Sequence, residues 1–135
     1  RFVEAVNGPV PRAAERFAGS KVTKRRDEDS TATLGAFRLS RAADGTVEDI
    51  CIAYGGMAAT PKRAFAVEKA LIGQPWNEAT VEAAMAKYAE DYQPLTDMRA
   101  TAEYRALVAR NLLMRFSLET TSAATPAQVS NYVAA

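Results

Sequence analysis

Residues 52–64 read IAYGGMAATPKRA, and the parsing of this stretch decides the fold. Up to Tyr54 apolar residues recur at every second position, and beyond it at every third or fourth, so a strand gives way to a helix here. Two glycines between strand and helix suit a phosphate-binding turn, where backbone amides must approach the anion closely. They equally suit a tight corner that needs freedom of φ. The pattern GGMAATP matches neither GxGxxG nor GxxxxGK[ST], and points to a structural corner.

Upstream of the corner the period is two. VEDICIAY (47–54) alternates with Ile50, Ile52 and Tyr54 in phase, and TATLGAFRLS (31–40) places Thr33, Phe37 and Leu39 opposite Leu34 and Arg38. Asp44-Gly45 between them is a hairpin-turn signal. Phe17 to Thr23 reads as a third strand, and KRRDEDS (24–30) as a charged turn. Pro9 and Pro11 make residues 7–12 extended.

Downstream the period is helical. Thr60 is expected to cap a helix that opens on Pro61 and stops at Gly73. Asn77 caps a second helix with Val81, Met85, Tyr88 and Tyr92 on one stripe, ended by Pro94. Thr96 or Asp97 caps a third, with Tyr104, Leu107, Val108, Leu112 and Phe116 on its core face and Arg99, Arg105, Arg110 and Arg115 mostly off it. Thr125-Pro126 starts a short fourth turn. Strands followed by helices predict an α+β fold, a small antiparallel three-stranded sheet with three helices packed on one face. Without βαβ alternation there is no Rossmann crevice.

The 135-residue chain is enough for one core. Seventeen basic and 16 acidic residues give a net charge of +1, so no global field draws nucleic acid or an anionic membrane. No window approaches the roughly 18 apolar residues of a membrane span. Histidine is absent, which removes His-based acid–base chemistry and His-containing metal sites. The single cysteine, Cys51, forms no internal disulfide and fits a reducing, cytoplasmic compartment. Its mid-strand place suggests a buried small hydrophobe. The chain opens on Arg1 and reads as a piece of a longer protein.

Lys21, Lys24, Arg25 and Arg26 place four cations in six residues, but Asp27, Glu28 and Asp29 follow and cancel them locally. The acidic trio lacks the alternating spacing of a calcium loop. A solvated charged turn is one reading. The other is a cationic corner that faces a small anionic cofactor. No catalytic residues and no metal ligands emerge.

Three stretches together, KVTKRRDED (21–29), IAYGGMAATPKRA (52–64) and PLTDMRATAEYRALVARNLLMRF (94–116), resemble the C-terminal part of the FAD-binding subunit of molybdenum hydroxylases. This is the CO dehydrogenase flavoprotein family, with the bacterial xanthine dehydrogenase kind as the nearest type. The resemblance covers residues 17–119. It leaves 1–16 as a linker or remnant of a preceding FAD subdomain and 120–135 as a tail with a short helix. In this family electrons pass from a molybdenum cofactor through iron–sulfur clusters to FAD, and then to NAD or another acceptor. The resemblance implies partners: the preceding FAD subdomain with its glycine-rich phosphate loops, an iron–sulfur domain and a molybdenum subunit. It implies an α+β subdomain that closes over the cofactor and is not itself catalytic. The family's flavin-contacting lysine maps onto Lys21, with Arg25 and Arg26 as the arginine pair that follows. A cation there favours reduced, anionic flavin. Ser30 departs from the apolar residue the family pattern has after the acidic trio. The alternative from another class is an interaction or assembly module without a cofactor.

Overall fold

The computed structural model describes residues 2–8, 10–25 and 30–121. Three long antiparallel strands come first: β1 (Arg16–Thr23), β2 (Thr31–Arg41) and β3 (Val47–Gly55). A two-residue strand, β4 (Lys62–Arg63), then pairs with Ala53 and Tyr54, so the sheet has four strands in the order β1-β2-β3-β4 where the sequence suggested three. The helices are α1 (Phe65–Leu71), α2 (Glu78–Met85), the single turn α3 (Tyr88–Asp91) and α4 (Ala102–Thr121). The architecture is α+β, two layers deep. The expected turn at Thr125-Pro126 lies outside the described residues. No described helix is long and apolar enough to cross a membrane.

Strand alternation sorts the residues as the sequence predicts. Phe37, Leu39, Ile50, Ile52 and Tyr54 are buried under the helices, while Leu34 is exposed on the other face. Cys51 falls between Ile50 and Ile52 and so points outward, half-buried beside Arg38, rather than into the core. Gly45, at φ +86°, turns the β2–β3 hairpin, and Asp44 Oδ1 accepts the Thr46 amide at 2.9 Å.

The helix starts differ from expectation. α1 begins after Ala64, whose side chain cannot cap, and Thr60-Pro61 belong to the loop that leads into β4. The cap comes from elsewhere: the Asp91 carboxylate accepts the amides of Ala66 (3.0 Å) and Val67 (3.1 Å). Proline and threonine alone imitate a helix start, but the chain spends residues 62–63 on the sheet edge first. That edge is finished by Glu68, which accepts the Ile52 amide at 2.7 Å and pairs with Arg63 at 2.8 Å. Asn77 caps α2 as predicted, its Oδ1 accepting the Thr80 amide at 2.9 Å.

The stripe Val81, Met85, Tyr88, Tyr92 is buried, although α2 breaks before α3. Tyr54 donates to the carbonyl of Ala109 at 2.7 Å, so Tyr88 donates in turn to the Tyr54 hydroxyl at 2.8 Å. Tyr92 donates to the Lys62 carbonyl at 2.7 Å. Three phenols thus join β3, α3 and α4 with their hydroxyls satisfied, as buried phenols require.

The core face of α4 is rotated from expectation. Leu112 and Phe116 are buried as predicted, but Tyr104 and Leu107 are 47% and 56% exposed while Arg105 is 3% exposed. A charged residue takes an interior place only when its donors are satisfied, and apolar patterning cannot register that.

Candidate functional site

The start of β2, the corner after β3 and the loop before α4 meet at one end of the sheet, and Arg105 is where they join. Its Nη1 donates to the carbonyls of Ala32, at the start of β2, and Gly56, after β3; the Gly56 bond is 2.9 Å. Its Nη2 donates to Asp97 Oδ1 at 2.6 Å. Its Nε is buried without a partner. Gly56 sits at φ +82°, and a Cβ there would stand 2.3 Å from the Ala32 oxygen and 2.7 Å from Arg105 Nη1. The space against Gly56 that a phosphate would enter is filled by the Ala32 backbone and the guanidinium. The double glycine is a packing corner.

Asp97 is built to receive the guanidinium. Its Oδ1 also accepts the amides of Arg99 (2.8 Å) and Ala100 (3.1 Å), so the loop holds the carboxylate in place. The Arg99 amide first, then the Ala100 amide and Arg105, hold its pKa down at about 2. Neither Thr96 nor Asp97 is the residue directly before α4. Thr101 is, accepting the Tyr104 amide at 3.2 Å, while Thr96 accepts that of Ala102 at 3.0 Å. The same loops line a cavity of about 330 Å³ whose wall includes Thr31, Gly56, Ala58, Leu95, Asp97 and Arg105.

Of the sequence-predicted site residues, Lys21 is exposed on the outer face of β1. In register beside it are Leu34 and, across β2, Gly55. Among the described residues no carboxylate pairs with Lys21 or Lys24. Arg25 is exposed, and its carbonyl accepts the Thr23 hydroxyl at 2.6 Å. Arg26 lies outside the described residues. Lys24 lines a second cavity of about 460 Å³ together with Thr23, Ala32, Arg99, Thr101 and Tyr104. Lys24 and Arg99 therefore share a cavity, while Lys21 lies on the outer sheet face.

Arg105 and Arg99 are the residues that sequence reasoning undervalued. In helical phase Arg105 shares the stripe of Ala109, Leu112 and Phe116, but nothing local marks an arginine there as buried. The donor set also bears on a flavin. Lys21 presents an unpaired ammonium beside a row of small outer-face residues, Gly19, Ala36 and Ala53, in cross-strand register. A cation beside these small residues has room to approach the edge of a planar ring that carries negative charge, and among the described residues the glycine corner offers no phosphate cradle. Among the described residues no cluster of acidic or cysteine side chains could hold a metal ion.

A family model described as the CO dehydrogenase flavoprotein C-terminal domain matches residues 19–120. Nicotinate hydroxylase of Emericella nidulans is 33% identical over 116 residues, which is 83% of this chain and 9% of that protein. The glyceraldehyde dehydrogenase medium chain of Sulfolobus acidocaldarius is 38% identical over 69 residues, 51% of this chain and 25% of that one. In the solved carbon monoxide dehydrogenase from Hydrogenophaga pseudoflava that lacks the Mo-pyranopterin moiety, one chain matches with a TM-score of 0.70 and 32% identity. The match covers 79% of this chain and 37% of that one. The chain spans a minor part of the length of each of these relatives.

Proposed function

The chain belongs to the CO dehydrogenase flavoprotein C-terminal domain family, and from that premise we propose that it forms the C-terminal part of the FAD subunit of a molybdenum hydroxylase. The unit is residues 17–119, with 1–16 leading in from a preceding FAD subdomain and 120–135 as a tail. FAD, when bound, supplies the chemistry, accepting electrons from iron–sulfur clusters fed by a molybdenum centre. This chain's residues bind and orient it. Lys21, with Arg25 and Arg26, offers cations to one edge of the flavin, and a cation there stabilises negative charge on the ring. The chain contributes no acid, base or nucleophile.

The finer reading is an oxidoreductase of the xanthine dehydrogenase kind, in purine metabolism, with NAD as acceptor and the cytoplasm as its place. The names of the relatives range over nicotinate, glyceraldehyde and carbon monoxide. That range suits a domain whose work is common to many substrates, with the substrate pocket in the molybdenum subunit.

The observation that carries the proposal is the unpaired ammonium of Lys21 on an open wall in a chain of a flavoprotein family. The test is flavin fluorescence quenching with the full-length protein and its Lys21→Met variant. Weaker FAD binding or a lowered flavin potential in the variant is expected, and unchanged values would remove Lys21 from the site.

A second reading, an assembly module without cofactor, draws on one observation: Tyr104, Leu107 and Leu118 leave an exposed apolar stripe along α4. Failure of the full-length protein to take up FAD would favour it.

A further inference from the structure

Resting on the flavin-facing reading above, we infer that Arg105 is the positioning residue of that face. Its buried guanidinium, received by Asp97, fixes where the cationic stretch around Lys24 and Arg25 stands, acting through the Ala32 and Gly56 carbonyls.

Three observations carry this. The first is the presence of a charge at all. Arg105 stands in phase with Ala109, Leu112 and Phe116, all buried, and an apolar residue there would continue the stripe without the desolvation that a buried ion incurs. The second is the choice of partners. Each of its hydrogen bonds goes to a loop or a strand end, namely Ala32, Gly56 and Asp97.

The third is the location of those partners. The ladder of β1 with β2 shifts register between Val22 and Thr23, and Thr23 then pairs with Thr31. Ala32 is therefore the extra residue in β2, opposite the step from Val22 to Thr23 at which the basic stretch leaves the regular ladder. The clamp on Ala32 is what continues to hold it. Asp97 accepts two backbone amides of its own loop, which orients its carboxylate toward the guanidinium. The residues that follow it, Arg99, Thr101 and Tyr104, wall the cavity that Lys24 lines. Displacing Arg105 thus moves both the foot of the basic stretch and the wall opposite Lys24.

The test uses the full-length protein with Arg105→Lys, Asp97→Asn and Lys21→Met. Lysine keeps the charge but has no planar fork with which to hold two carbonyls and a carboxylate together. The readouts are the FAD dissociation constant, the flavin midpoint potential, the thermal midpoint and, without FAD, amide hydrogen exchange across residues 31–33 and 55–57.

Arg105→Lys and Asp97→Asn are expected to weaken FAD binding by about threefold to thirtyfold, the range for residues that influence a site without touching it. They should also shift the flavin potential and speed exchange in both segments. A lowered thermal midpoint with FAD affinity and potential unchanged in the folded protein would overturn the inference and leave Arg105 a structural residue. If Lys21→Met shifts the potential and Arg105→Lys does not, the inference alone fails. If none of the variants alters affinity or potential, the flavin-facing reading fails and takes the inference with it.

Discussion

Asp91 caps a helix to which it does not belong: its carboxylate accepts the amide of Ala66 through both oxygens at 3.0 Å. Asp91 closes α3, so the bond joins the end of one helix to the start of another, where the free amides and positive dipole end favour an anion. Asp91→Ala should lower stability by about 1–2 kcal/mol, the usual worth of such a cap. Thr60→Ala should leave it within about 0.5 kcal/mol. Urea midpoints of the two variants compare them directly, and equal losses would restore Thr60 as the cap.

Gly56 and Gly45 share a positive φ, at +82° and +86°, but only Gly56 is crowded, since nothing lies within 4 Å of a Cβ added at Gly45. Gly45→Ala should therefore cost about 1–2 kcal/mol for backbone conformation alone. Gly56→Ala should cost on the order of 3 kcal/mol or more, because overpacking against Ala32 and Arg105 adds to it. Denaturation midpoints that rank the two the other way would refute the corner.

Leu113 is fully buried while Leu107, earlier on the same helix, is 56% exposed. Leu113→Ala should cost about 2–5 kcal/mol, and Leu107→Ala about 0.5 kcal/mol or less. The pair reports the rotation of α4 without any ligand.

The contrast also shows which parts of the fold were legible. Period two located β2 and β3, and Asp44-Gly45 located their turn, because alternation and turn chemistry act locally. Asn77 was legible for the same reason, since its partner is Thr80. The start of α1 was not, because its cap arrives from Asp91 through space. The face of α4 was misread at its first turns, because three acceptors from remote segments make a buried arginine acceptable. The site shows the same division: the basic stretch and the glycine corner stand out in the sequence, whereas the guanidinium that ties the corner to Ala32 and Asp97 does not.

The buried phenols give a pH signature. Burial raises the pKa of Tyr54, Tyr88 and Tyr92 above the ordinary tyrosine value. Their stabilising effect is complete below about pH 10, where the unfolded phenols are neutral, and declines as pH rises above it. Absorbance near 295 nm on alkaline titration should show these tyrosines ionising together with unfolding. Reversible ionisation of all of them in the folded chain near pH 10 would contradict the hydroxyl network.

Asp97 acts in the opposite direction. Its pKa of about 2 lies below the usual carboxylate value, so its contribution is present above about pH 4 and is lost as pH falls through 2. Stability measured from pH 5 to 2 should fall less steeply in Asp97→Asn than in the parent. Parallel curves would mean the carboxylate is not held.

Glu68 has one more consequence, for how copies of this chain meet. β4 and the Glu68 carboxylate together close the β3 side of the sheet, since β4 covers Ala53 and Tyr54 and Glu68 takes the Ile52 amide. Among the described strands only β1 keeps a long open edge. Strand addition, the route by which exposed edges lead to fibrils, therefore has one place to begin. Two chains joined there would each bury their long open edge against the other and leave only the short β4 edge. Growth beyond such a pair would have to start on the opposite edge, where β4 offers only two residues for pairing.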